Sequence, residues 1–424
     1  MSRPLNIVHI CDHLGWTGSR MHGVKRLFAW MIPRFDATRF TVSLISLRKR
    51  DLSNDTLDEL GIDVTYMHRG KFDPATLPAL LEELDRRQAD VVHLHGYGAS
   101  TFGRLAAAIR HIPVVVHEHA NLTSTPWFQK VADRLLAPAT DIAIAVSQST
   151  ADFTTRARLI PAERTKVVYL GVPLEEFSRV RTIDEVAEAR RALDIPPDTF
   201  AIGTVTRLMP SKGNEYLVDA ARRVVDALPS SRIYIIGEGE LQPALEARAA
   251  ALQLGDRLVF SGFRRDVAQA LSALDLLVFP SLWEGTPLTV LEALAMGKAI
   301  VSTDADGLKD VLTDGHDAHM LPRRDAAALG EAIVRLVQDP AERARLGANA
   351  RQTGAQYDIN LFVKKMERLY VLLHETSRAT HRKGVLDADL SFLKGGAAPD
   401  GAQARGTSPR VGQTSGPPPR IGQT

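Results

Sequence analysis

Ser281-Leu-Trp-Glu284-Gly-Thr-Pro-Leu-Thr-Val-Leu-Glu292 follows a short apolar run that ends at Phe279 and precedes an apolar helical pattern. The sequence predicts a strand, a loop and a helix here. Gly285 permits close backbone approach, Thr286 suits an N-cap, and Pro287 fits the first helical turn. The free N–H groups of Leu288 to Val290 then point at an anion. Glu284 precedes this helix and Glu292 lies in its second turn, so the two carboxylates reach different parts of one elongated ligand. A solvent-facing glutamate is the plain alternative for either.

Upstream, Arg207 stands at the end of another predicted strand, and Lys212-Gly213 follows near the start of a helix through Tyr216, Leu217, Ala220 and Val224. Two fixed cations and a positive helix end make a corner suited to a diphosphate. Taken alone, it is equally readable as an arginine pairing with a nearby acid beside a solvated lysine.

These segments sit in a wider alternation. Apolar, β-branched runs at 5–10, 40–47, 91–94, 113–117, 141–146 and 166–169 read as buried strands, with helical patterns such as 77–87 and 101–110 between them. After Gly171-Val172-Pro173 a polar passage reaches Asp198, and strands resume at 201–206, 232–236, 258–260, 276–279 and 299–302. The expected class is α/β, with two doubly wound, Rossmann-like domains facing a central cleft. Their expected extents are 1–174 and 175–356. An amphipathic closing helix is expected over 357–378, and the Gly- and Pro-rich tail 379–424, with its near-repeat of Pro409–Thr414 at Pro419–Thr424, has the composition of a disordered segment.

A length of 424 residues suits two domains, and 45% hydrophobic with 24% charged residues is ordinary globular composition. Fifty-two basic against 50 acidic residues give a net charge of +2, which offers no argument for nucleic acid as a partner. The first fifty residues are locally basic, compatible with a face for anionic lipid or acceptor, or with a solvated helix face. Cys11 is the only cysteine, and neither a signal peptide nor a spanning apolar run is evident. A cytoplasmic protein, with at most peripheral contact at the inner face of the membrane, is expected.

The chain resembles glycosyltransferase family 4. The resemblance rests on Glu284 and Glu292 with seven residues between them, on Gly203-Thr-Val-Thr-Arg207-Leu-Met-Pro-Ser-Lys212-Gly213, on Ile236-Gly237-Glu-Gly239, on Ser261-Gly262-Phe263 and on Val168-Tyr-Leu-Gly171-Val172, five motifs in order. It implies the GT-B fold and retaining transfer from a nucleotide-diphosphate sugar, UDP- or GDP-linked, to a glycan, lipid-linked or small-molecule acceptor. By the same resemblance Arg207 and Lys212 hold the donor diphosphate and Glu292 the ribose. Glu284 and the backbone of Gly285, Thr286, Pro287 and Leu288 grip the sugar, and Gly262 and Arg264 border the base. No tightly bound cofactor and no essential metal are implied.

In the first half, Gly15-Trp-Thr-Gly18-Ser19 follows the first strand and only partly matches the paired glycines usual in the family; its backbone is expected to approach the donor phosphate or the acceptor. His119 matches the family's active-site histidine and is expected to contact the transferred sugar, with His95 also lining the cleft. His117 reads as structural. Two competing readings remain: a metal-dependent hydrolase using the pairs His93/His95 and His117/His119, and a GT-B binding protein without turnover. Asp304-Ala-Asp306, superficially a metal-binding acid pair, reads as loop.

Overall fold

The computed structural model describes residues 3–14, 23–50, 55–70, 72–120, 126–379 and 389–393. Gly15, Gly18 and Ser19 lie outside the described residues, as does nearly all of the tail.

Two wholly parallel sheets carry the fold. The first contains β1 (Leu5–Cys11), β2 (Phe40–Ser46), β3 (Val64–Tyr66), β4 (Val91–His95), β5 (Val114–Glu118), β6 (Ile142–Ala145) and β7 (Thr165–Val167), ordered β3-β2-β1-β4-β5-β6-β7. The second contains β8 (Phe200–Val205), β9 (Ser231–Ile236), β10 (Leu258–Gly262), β11 (Leu276–Phe279), β12 (Ile300–Thr303) and β13 (His319–Leu321), ordered β10-β9-β8-β11-β12-β13. Each order reverses beside its first strand, between β1 and β4 and between β8 and β11. Such switch points open a crevice at the strand C-terminal ends, where doubly wound folds bind ligands. Arg207 and the Ser281–Glu292 loop follow the two strands that flank the second switch point.

The two strands missing from the sequence expectation, β3 and β13, are three-residue edge strands. With one neighbour each and little length, they carry almost no periodic signal.

The chain crosses between the domains twice at one place. The Val172 N–H donates to the Tyr357 carbonyl at 2.9 Å, and the Ile359 N–H donates to the Val172 carbonyl at 3.1 Å. A side chain at Gly171 would collide with the Asp358–Ile359 backbone, so only glycine allows these strands of chain to lie together. The last long helix, Ile359–Ala379, then returns to the first sheet, where the buried Tyr370 hydroxyl lies 2.6 Å from His93 Nδ1.

Candidate active site

Beyond β8, just before the helix Asn214–Ala227, Gly213 adopts φ +58° against the Pro280 carbonyl, a left-handed conformation that brings the Lys212 corner onto the loop after β11. Lys212 Nζ donates to both Glu284 oxygens, at 2.6 and 2.7 Å, and Ser281 Oγ donates to Glu284 Oε1 at 2.7 Å. Burial lowers the pKa of the Arg207 guanidinium and the charge of Glu284 opposes that shift. Arg207, Lys212 and Glu284 therefore form one electrostatic group. Gly262, at φ +67°, ends β10 on the same rim and accepts from the Gly237 N–H at 2.9 Å; Arg264 follows two residues later.

The helix start departs from expectation. Pro287, rather than Thr286, occupies the N-cap position of the helix Leu288–Ala295, with no side-chain cap. Thr286 Oγ1 instead donates across the cleft to the Val146 carbonyl at 2.6 Å. Its position one residue before the N-cap, with the hydroxyl turned towards the opposite domain, takes Thr286 out of the capping role. The Val290 N–H turns back to the Pro287 carbonyl at 3.1 Å, which leaves Leu288 and Thr289 as the first-turn donors outside the intrahelical ladder.

At Gly285 the domains meet backbone to backbone. An added side chain there would strike the His119 carbonyl, and one at Gly307 would strike the Gly285 carbonyl from the other side. His119, one residue beyond β5, is thus brought against the Glu284 loop.

Glu292 is completely buried in the second turn, and Arg26 of the helix Gly23–Met31 donates to its Oε1 from the opposite domain. Its Oε2 has no hydrogen-bond partner among the described residues. Burial raises the pKa of this carboxyl, while Arg26 pulls it down. Arg26 was not singled out in the sequence; a cation in the first helix after the glycine loop is its only local signal. It also lies over the Trp30 ring, 4.6 Å from the centroid.

His95, expected to line the cleft, is 2% exposed and bonded to His119, its Nδ1 lying 2.9 Å from His119 Nε2. Alternation along β1, β4 and β5 sends His9, His93, His95 and His117 to one face of the sheet, where they stack. They form one hydrogen-bonded chain with His119 and Tyr370. His119 Nε2 lies 2.9 Å from His95 Nδ1, His95 Nε2 2.9 Å from His9 Nδ1, and His9 Nε2 3.3 Å from the Tyr370 hydroxyl. Beyond that hydroxyl, His93 Nε2 lies 3.2 Å from His117 Nδ1. Burial depresses the pKa of all five imidazoles, His9 to about 3 and His119 to about 4. They are neutral at physiological pH.

Nitrogens of His9, His93 and His95, and of His95, His117 and His119, converge within 4.8 Å. Most are already paired with one another inside the sheet, and a hydrolytic metal needs a coordination position open to substrate. The hydrolase reading also leaves the Arg207, Lys212 and Glu284 group without a role. Asp304 and Asp306 both pair with Arg323, at 3.3 and 3.0 Å.

With two facing Rossmann-like domains and a cation, carboxylate and helix-start group between them, the chain is a GT-B glycosyltransferase. It belongs to glycosyltransferase family 4: residues 21–176 match the model described as Glycosyltransferase Family 4, and residues 185–353 match Glycosyl transferases group 1. Among its relatives is the Escherichia coli UDP-Gal:alpha-D-GlcNAc-diphosphoundecaprenol alpha-1,3-galactosyltransferase, 27% identical over 277 residues, covering 63% of this chain and 71% of that one. The phosphatidyl-myo-inositol mannosyltransferase of Mycobacterium leprae is 26% identical over 317 residues, covering 71% and 78%. The Anabaena HepE structure in complex with UDP-glucose shares the fold, with a TM-score of 0.73 and 21% identity over 88% of this chain and all of that one.

Proposed function

We propose that the protein transfers a hexosyl group, with retention of anomeric configuration, from a UDP- or GDP-sugar to a glycan or lipid-linked acceptor at the cytoplasmic face of the membrane. The observation that carries this reading is the Arg207, Lys212 and Glu284 group, apposed across the cleft to His119 at Gly285. In this reading Arg207, Lys212 and the first-turn N–H groups stabilise charge developing on the leaving diphosphate. Glu292 accepts from the ribose hydroxyls through Oε2, Gly262 and Arg264 border the base, and Glu284 and His119 hold the transferred sugar. A neutral His119 bonds sugar hydroxyls without introducing charge.

Glu284 is engaged by Lys212 and Ser281, which argues against a free carboxylate nucleophile. Attack from the face of the departing phosphate, with that phosphate helping to take the acceptor proton, is the mechanism we favour. The named substrates of the Escherichia coli and mycobacterial relatives support a nucleotide-sugar donor and a lipid-linked acceptor.

A thermal-shift screen of UDP-, GDP- and ADP-sugars identifies the donor, because a ligand bound only by the folded state raises stability by mass action. With that donor's nucleoside diphosphate, Glu292→Ala weakens calorimetric affinity by about 10- to 100-fold through loss of charge-assisted bonds. Glu292→Gln, which keeps the side-chain shape, loses less. Equal affinity in Glu292→Ala and the parent would overturn the ribose role.

A further inference from the structure

The helix Trp127–Leu136, eight residues beyond His119, is built inside out. Two of its polar residues face inward: Gln129 is 3% exposed and Asp133 not at all. Its apolar residues face outward, with Trp127 77% exposed, Leu135 73%, Val131 49% and Phe128 41%. At about 100° per residue these four fall within an arc of roughly 100°, and Lys130 and Arg134, both exposed, lie along one flank of it. Phe72, itself half exposed, packs edge-on against Phe128 with ring centroids 5.2 Å apart.

This rotation is fixed from below. Asp133 accepts from Arg104 at 2.7 Å and from Arg158 at 3.0 Å, and Arg158 donates to Glu118 at 3.0 Å. Turning the apolar arc inward would break a buried ion network and leave its charges unpaired. The outward apolar face is therefore a stable feature of the fold.

We propose that this face docks the enzyme on an anionic lipid bilayer, with Trp127, Phe128, Val131 and Leu135 entering the interface and Lys130 and Arg134 meeting the headgroup phosphates. Charge selects lipid as the occupant. Asp133 is the helix's only acid and is buried, and neither Lys130 nor Arg134 forms an ion pair with a described residue, so two cations border the apolar arc uncompensated. The basic first fifty residues offer much less: Arg3 pairs with Asp90, Arg26 with Glu292, Arg34 with Glu175 and Arg50 with Asp58. Because the helix follows β5, whose end carries His119, docking holds the sugar-facing side of the first domain close to a lipid surface.

The test is flotation of the full chain with phosphatidylcholine vesicles, with and without about a third phosphatidylglycerol, at low and high salt. The parent binds the anionic vesicles, more weakly as salt rises. Trp127→Gln/Leu135→Gln lowers partitioning by about tenfold or more by removing the interfacial side chains. Lys130→Glu/Arg134→Glu removes the preference for anionic lipid, each lost cation being worth roughly fivefold. All four side chains face solvent, so thermal midpoints and nucleoside-diphosphate affinity stay at parent values and show that the variants are folded. No binding at low salt, or equal binding by parent and variants, would overturn the proposal. So would a dimer that dissociates on Trp127→Gln/Leu135→Gln, which would assign the face to a second copy. None of these outcomes touches the sugar-transfer reading, since turnover and nucleotide affinity are measured without vesicles.

Discussion

Lowering the pH from about 7.5 to 5.5 markedly lowers the stability of the protein, through the histidine chain of the first sheet. His9, His93, His95 and His117 are buried and His119 is partly buried; all five have folded-state pKa values below the ordinary 6.5 and are neutral at about pH 7.5. The unfolded chain therefore takes up protons first. Stability is complete above about pH 6.5 and falls as the pH drops towards the folded-state values, about 4 for His119 and about 3 for His9. Each imidazole that stays neutral in the folded state costs roughly 1.4 kcal/mol per pH unit in that window, so several together make stability fall steeply with acid. Urea unfolding followed by tryptophan fluorescence and circular dichroism checks this, and a midpoint that does not move with pH rules it out. His117→Met, at the end of the histidine series where Nε2 has no partner among the described residues, reduces the pH slope by up to about one proton.

Lys212→Ala has the second large effect, on activity. The ammonium is bonded to both oxygens of Glu284, so its removal takes a counter-charge from the proposed diphosphate site and leaves a largely buried carboxylate supported by Ser281 Oγ. By analogy with the loss of one electrostatic donor at a reacting centre, kcat/KM falls about 100- to 1000-fold. Nucleoside-diphosphate affinity falls about 10- to 100-fold. Lys212→Arg keeps the charge without the compact geometry and recovers only part of the loss. Steady-state kinetics with calorimetry decides the matter: kcat/KM within threefold of the parent would sink the phosphate role.

The parts of this site that were legible in the sequence are local. The strand, glycine loop and helix that separate Glu284 from Glu292 lie within a dozen residues, where spacing translates directly into position. Arg26 was not legible, because it meets Glu292 across 266 positions of sequence and only the apposition of the two domains brings them together. Thr286 shows local and tertiary rules in competition: its type and place suit a cap, yet its hydroxyl bonds to Val146, 140 positions away. Alternation put His93 and His95 on one face of β4 but did not reveal that the face is covered. The helix at Trp127, for which the sequence carried no expectation, shows a further tertiary effect. Its apolar stripe has the spacing of a core-facing helix, and only the buried Arg104 and Arg158 turn that stripe outward.

What covers the histidines also bears on the order in which the protein is made. β7 ends at Val167, whereas the helix bearing Tyr370 begins at Ile359. Tyr370 reaches back 361 positions to His9, and Phe362 of the same helix stacks on His117 at 6.2 Å. A chain leaving the ribosome N-terminus first thus has every strand of its first sheet long before it has the helix that seals one face. The half synthesised first is the half completed last, and a stop codon after residue 356 would spare the second sheet while stripping the first of its cover.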